Sequence, residues 1–177
     1  MAPIFLVMGT PACGKSTVSR ALASRFKLGL HIPVDDLRHM VVGGLSDMNF
    51  SNEATAKVTG EQIRLARVAA SQMARTYNSA GFAVAIDDFG FNHIPGTPFH
   101  MGFNTVPETH YDLGSQADKI VLLLSFETTL QRLYGRNGSE NDFAKMLENA
   151  NRLSHPIIAE HPKPGWIVVN STHLTVE

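Results

Sequence analysis

The sequence predicts an α/β fold, a five-stranded parallel sheet covered by helices on both faces, and three observations predict it. Apolar runs of strand length alternate along the 177 residues with stretches whose apolar positions step by three and four. The strand-like runs, such as Ile120 to Leu124, are apolar without alternation, as strands buried on both faces are. A glycine-containing turn, Gly9 to Thr17, joins the first such run to the first helical pattern.

Ile4-Phe5-Leu6-Val7-Met8 is the first strand. Behind the turn, Val18, Leu22 and Phe26 recur at helical spacing, and Gly29 stands where that helix should stop. Leu28 to Val34 reads as the second strand and ends in Asp35-Asp36, after which Leu37 to Val42 forms a helical turn broken by Gly43-Gly44. A long helix follows from about Ala54 to Ala80. Its predicted face is Ile63, Ala66, Ala70, Met73 and Tyr77, and Gly81 caps its end. Phe82 to Ile86 is the third strand, running into Asp87-Asp88, and Ile120 to Leu124 is the fourth. Helices near Glu127–Arg136 and Asn141–Leu153 precede a fifth strand, Trp166 to Val169.

Residues 1–177 read as one domain without repeats or linker. Asn92 to Gln116 breaks the alternation, being rich in Gly, Pro, His and Phe. Such a segment inside a compact domain suits an acceptor-binding or lid insertion. His93, Phe99, His100, Met101, Phe103, His110 and Tyr111 could line a pocket there, and a ligand-free surface loop is the competing reading.

A formal net charge of −1 gives no sign of a nucleic-acid or membrane surface. No apolar run approaches the roughly 18 residues of a membrane span, and the N-terminus lacks a secretory pattern. A single cysteine, Cys13, fits a reducing compartment, so the expected location is the cytoplasm. Cys13 lies inside the glycine turn, where its oxidation could switch off binding; the alternative is that the position simply accepts a small side chain. The eight histidines are scattered without the short spacing of a zinc motif. His39 follows Arg38 and either touches a ligand or is a hydrogen-bonded structural histidine.

The chemistry centres on Gly9-Thr10-Pro11-Ala12-Cys13-Gly14-Lys15-Ser16-Thr17, two glycines with four residues between them followed at once by Lys and Ser. Between a strand and a helix, this pattern aims successive backbone N–H groups at one phosphate. Gly9 and Gly14 permit the backbone angles and the close approach. Lys15 reaches the β- and γ-phosphates, and the Ser16 hydroxyl ligates Mg²⁺. The motif therefore predicts binding of a nucleoside triphosphate with Mg²⁺.

In a parallel sheet, ligands sit at the carboxyl ends of the strands, where Asp35-Asp36 and Asp87-Asp88 should both stand. Two acidic pairs beside a triphosphate suit Mg²⁺ coordination and proton abstraction from an attacking hydroxyl. The competing reading makes one Asp of each pair a helix cap or turn residue. Arg132 and Arg136, four apart on one helical face, could neutralise charge during phosphoryl transfer or form a solvated surface.

Together these residues resemble the kinase-like branch of P-loop proteins that phosphorylate small hydroxyl compounds or nucleic-acid 5′ ends. The nearest likeness is to chloramphenicol phosphotransferase and the zeta-toxin-like and gluconate-kinase-like proteins. It rests on Gly9 to Thr17, Pro33-Val34-Asp35-Asp36-Leu37-Arg38, Ala85-Ile86-Asp87-Asp88-Phe89, Arg132 and Arg136, and Val169-Asn170-Ser171-Thr172-His173. The resemblance implies the three-layer P-loop NTPase fold, with the third strand beside the first. It also implies Asp35 as the general base and Arg38 as orienting the acceptor or the phosphate. Asp87 or Asp88 would support Mg²⁺ or the acceptor, Arg132 and Arg136 would belong to a lid, and Asn170, Ser171 and Thr172 would lie near the adenine. Two features depart from the pattern: the segment after Asp88 lacks the expected helix, and Asn170 stands where an acidic residue is common.

The expected activity is transfer of the γ-phosphate of ATP to a hydroxyl of a small molecule such as an antibiotic, a sugar or a nucleotide-sugar. The alternatives are a polynucleotide 5′-hydroxyl kinase, disfavoured by the near-neutral charge, and a nucleotide-binding switch with a protein partner. A membrane partner is not expected, and a homodimer is left open.

Overall fold

β1 (Ile4–Gly9) is the central strand of the sheet, flanked by β3 (Ala83–Asp88) and β4 (Ala117–Leu123), with β2 (Gly29–Pro33) and β5 (Trp166–Asn170) at the edges. In this computed structural model, which describes residues 2–47, 52–89, 111–113, 117–138, 141–160 and 164–174, every strand pairing is parallel. The order β2-β3-β1-β4-β5 puts the third strand beside the first, as the resemblance implies. The register sets Val7, Pro33, Asp87 and Ile120 level with one another. The carboxyl ends of β1, β2 and β3 therefore share one rim.

Helices cover both faces. α1 (Lys15–Ser24) places Val18 against Val7, Leu122, Leu124 and Cys13 on one side. α3 (Glu53–Ser79) lies on the other, where Ala66, Ala70 and Ala74 pack with Leu6, Met8, Ile32 and Ile86. α5 (Asp142–Glu160) adds Ile158 to the same core. α2 (Val34–His39) follows β2 directly, and α4 (Phe126–Asn137) packs Leu133 against Ala144, Leu147 and Ala150 of α5. No helix among the described residues is long and apolar enough to cross a membrane.

Three sequence expectations are corrected. Met73 and Tyr77 of α3 are 36% and 40% exposed, and the buried stripe runs through Ala66, Ala70 and Ala74 with Arg67 and Ser71 beside it. Ile63, Ala66 and Ala70 of the predicted face are buried, and the inner face continues through Ala74 in place of the larger Met73 and Tyr77. α5 continues past Leu153 through Pro156, and in that stretch His155 Nε2 donates to the Leu124 carbonyl at 2.7 Å. Gly29 does not stop α1, which ends at Ser24; it begins β2.

A Cβ at Gly29 would stand 1.9 Å from the Ala23 carbonyl oxygen, so the chain returns from α1 through a gap that only glycine fits. Gly29→Ala is therefore expected to lower stability by roughly 1–3 kcal/mol, the usual result of forcing atoms into a packed space. An earlier urea unfolding midpoint at unchanged slope is the result that checks it.

Of the segment Asn92–Gln116, only Tyr111, Asp112 and Leu113 are among the described residues; His93, Phe99, His100, Met101, Phe103 and His110 lie outside them.

Candidate active site

The turn between β1 and α1 is built as an anion cradle. Gly14 precedes the helix with φ of 94° and no side-chain cap, and Ala12 also takes a positive φ of 66°. An α-helix leaves its first N–H groups without internal acceptors, so those of Lys15, Ser16 and Thr17 remain for an anion. Gly9 is required by space: a Cβ there would meet Cys13 Sγ at 2.4 Å and the Leu122 carbonyl at 2.7 Å. Lys15 Nζ folds back and donates to the Thr10 carbonyl at 3.0 Å, poised over the turn. Ala12 packs against the cluster of Leu133, Ala144, Leu147 and Ala150, so the apex of the turn touches the α4–α5 hairpin. The Tyr134 hydroxyl donates to Glu148 and so fastens α4 to α5, while Arg152 of α5 holds the same carboxylate at 2.8 Å.

Cys13 is buried beneath the turn, and burial pushes its thiol pKa up, with Lys15 and the local backbone pulling the other way. A thiol held protonated and covered is a poor nucleophile, which favours the packing reading of this cysteine over the redox one.

Asp87 and Asp88 face opposite ways because successive strand residues alternate. Asp87 points to the α1 side, where Ser16 Oγ donates to its Oδ1 at 3.3 Å and His31 Nε2 lies 2.5 Å from its Oδ2. Asp88 points to the α3 side and is fully buried with Arg67, whose Nε donates to its Oδ2 at 2.7 Å. The Tyr111 hydroxyl donates to the same oxygen at 2.7 Å. Burial alone would lower the Arg67 pKa, but the Asp88 carboxylate, with Tyr111, reverses that and raises it. Burial and then the Asp88 charge push the Tyr111 phenol well above its usual value. Asp88 is thus an internal counter-ion, and Tyr111 is a core residue where the sequence suggested a pocket wall.

Among the described residues no cluster of three His, Cys, Asp or Glu side chains could hold a metal alone. Ser16 Oγ and the Asp87 carboxylate nevertheless form a hard-oxygen pair at the phosphate turn. That donor set fits Mg²⁺, which takes one or two protein oxygens and completes its shell with phosphate and water.

On the same rim, Asp35 and Asp36 occupy the first turn of α2. The Asp35 side chain is 48% exposed and its Oδ1 lies 3.5 Å from Arg38 Nε. Arg38 is only 4% exposed, donating to the Ser46 carbonyl at 3.1 Å and to His39 Nε2 at 3.0 Å. Because arginine only donates, His39 accepts at Nε2 and carries its proton on Nδ1, which donates to the Asp35 carbonyl at 2.8 Å. His39 is therefore a hydrogen-bonded residue that braces α2. Arg38 clamps the chain after α2, with Ser46 further held by Gln62 and Thr59 of α3.

A pocket of about 650 Å³ opens beside the turn, lined by Gly14, Thr17, Arg25, Arg132, Ser171 and Leu174 among others. Arg132 reaches the turn, since a Cβ on Gly14 would lie 3.8 Å from its guanidinium. Arg136 stands exposed on the last turn of α4 with no ion pair among the described residues. Asn170 Oδ1 accepts from the backbone N–H and the hydroxyl of Thr172, and Thr172 accepts from Ser125 N–H at 2.8 Å. These bonds fix the turn after β5. Thr10 Oγ1 in the phosphate turn and Ser171 Oγ after β5 are buried without a hydrogen-bond partner among the described residues.

The structure thus gathers Gly9 to Thr17, Asp87, Arg132 and Ser171 at one rim. Sequence reasoning missed His31, Arg25, Leu174 and Arg67. Strand alternation was the available signal for Arg67, since a buried Asp88 on the α3 side requires a cation there.

A family model described as an AAA domain matches residues 5–152. Among solved structures, a shikimate kinase from Acinetobacter baumannii in complex with shikimate aligns with TM-score 0.59 at 16% identity, covering 99% of this chain and 87% of that one. A sugar kinase from a Janibacter species aligns with TM-score 0.57 at 17% identity, covering 96% and 86%. A gluconokinase from Sinorhizobium meliloti aligns with TM-score 0.52 at 14% identity, covering 98% and 85%. At these identities the likeness establishes the fold. No curated protein sequence matches the chain.

Proposed function

The chain belongs to the AAA domain family, whose model spans residues 5–152, and on that premise we propose that it transfers the γ-phosphoryl group of ATP to a hydroxyl of a small molecule. The observation that carries this reading is the common rim of the Lys15 turn, Arg132 beside Gly14, and the half-exposed Asp35 carboxylate. Three neighbours of like fold are, by name, kinases of small molecules: a gluconokinase, a sugar kinase and a shikimate kinase.

The pocket between Arg132, Thr17 and Ser171 takes the nucleoside, with Asn170, Ser171 and Thr172 at the base and the turn amides on the phosphates. Ser16 and Asp87 would hold Mg²⁺, which supplies charge neutralisation at the β- and γ-phosphate oxygens. Asp88 serves this site from behind, as the counter-ion that fixes the end of β3. Asp35 takes the proton of the acceptor hydroxyl as its oxygen bonds to the γ-phosphorus and the bond to the bridging oxygen breaks. Lys15 and Arg132 stabilise the charge gathering on the departing and transferring oxygens, with Arg136 one turn further along the same face. Arg38 acts through Asp35 and the clamped Ser46 segment. The acceptor side carries Asp35, Asp36 and Asp47, and Arg38 there is engaged by Ser46 and His39. This favours an uncharged hydroxyl compound over a nucleic-acid 5′ end, which needs a basic track.

ATP labelled on the γ-phosphate, offered with Mg²⁺ and a panel of antibiotics, sugars, nucleotide-sugars and a DNA oligonucleotide, tests the reading. Label on a small acceptor supports it, and label appearing only as inorganic phosphate favours a nucleotide-gated switch. Asp35→Asn is expected to reduce transfer by about 10²–10⁴-fold while leaving ATP affinity nearly intact. Single-turnover transfer measured beside equilibrium ATP binding checks both halves.

A further inference from the structure

Asp87 has two hydrogen-bond partners among the described residues, and only Ser16 belongs to the phosphate turn. The other, His31, comes from β2, an edge strand with no part in the phosphate-binding motif. We infer that His31 is a positioning residue: it holds the Asp87 carboxylate facing Ser16, and so sets how strongly a divalent cation and nucleotide bind together.

The register explains how the contact arises. His31 pairs with Ala85, two residues before Asp87, so alternation places the His31 and Asp87 side chains on the same sheet face. The diagonal step between them is one that a long side chain can span. The imidazole makes that step, with 2.5 Å from Nε2 to Oδ2. A carboxylate only accepts, so the His31 Nε2–H donates.

Holding Oδ2 in this way fixes the rotation of the carboxylate and leaves Oδ1 directed at Ser16 Oγ, 3.3 Å away. Without His31, Ser16 alone would restrain Asp87, and a cation would have to order the carboxylate further on binding. Groups that orient a ligating carboxylate in this way typically change metal affinity by about 10–100-fold when removed. Asp88, the neighbouring carboxylate, cannot take over, because its pairing with Arg67 and Tyr111 lies on the opposite face.

The inference rests on the nucleotide site proposed above, and its test separates the two. Affinity for a non-hydrolysable ATP analogue is measured by calorimetry in excess Mg²⁺ and again in EDTA, with the thermal midpoint recorded for each protein. For His31→Ala, the gain in affinity conferred by Mg²⁺ should fall about tenfold while affinity in EDTA is unchanged. His31→Gln, whose amide N–H reaches to a similar distance, should recover most of that gain. The shorter His31→Asn should not, and this pair carries the test if His31→Ala does not fold. Titration of Mn²⁺ by electron paramagnetic resonance should rank the variants in the same order. A lowered midpoint with an unchanged Mg²⁺ gain would overturn the positioning role and leave the nucleotide site standing. Absence of nucleotide binding by the unsubstituted protein would overturn both.

Discussion

Lys15→Ala is expected to abolish measurable phosphoryl transfer and to weaken ATP binding strongly, while the protein remains folded. The loss follows from what the ammonium does once a triphosphate is seated. It is the cation of the phosphate turn itself, and a preorganised donor aimed at developing charge is worth about 10²–10³ in rate. The folded state barely depends on it, because its contact is one part-buried bond to the Thr10 carbonyl. Such a bond contributes about 1 kcal/mol. The decisive experiment pairs ATP binding by calorimetry with a thermal melt. Binding lost at a midpoint within a few degrees of the parent assigns Lys15 to the ligand. Binding retained would defeat the reading of the turn.

The second large effect falls on stability. Arg67→Ala leaves Asp88 as a buried carboxylate without its cation, with Tyr111 still donating to it. Removing one partner of a buried ion pair typically costs about 3–5 kcal/mol. In a domain of this size, that corresponds to a fall in thermal midpoint of roughly 6–20 °C. The double variant Arg67→Met with Asp88→Leu should recover much of the loss, since an apolar pair of similar volume needs no counter-charge. Melting curves of the two variants and the parent decide the matter. A midpoint unchanged in Arg67→Ala would mean that Asp88 finds another partner or takes up a proton.

That Asp87 and Asp88 must take different roles was legible in principle from the sequence. Two adjacent residues at the end of a strand cannot face the same ligand, so the pair had to divide between the phosphate turn and the helix behind the sheet. Which way it divided depends on the register of β3 against β1, a long-range property that no local pattern contains. The strands, the turn and the long helix were readable because each follows from a local period or from glycine chemistry. The inner face of α3 was read correctly at Ile63, Ala66 and Ala70 and drifted outward at Met73 and Tyr77, where Ala74 is the buried residue. His31 carried no signal at all: its partner lies 56 residues away, and the two meet only through strand pairing. The resemblance gave Arg38 a role in orienting the acceptor or the phosphate, but its engagement by Ser46 depends on how the chain after α2 docks on α3.

The central place of β1 also governs when the site can come into being. Its neighbours are β3 and β4, so Ile4 pairs with Val84 on one side and Ala117 on the other. The phosphate turn leaves the ribosome well before Asp87 and Arg132 do, Asp87 following Ser16 by 71 residues. Closing such loops carries an entropic cost before any contact compensates it, and folds dominated by distant pairings assemble slowly. A nascent chain therefore displays the phosphate turn well before the residues that complete its pocket, and nucleotide can stabilise only chains whose sheet has already closed.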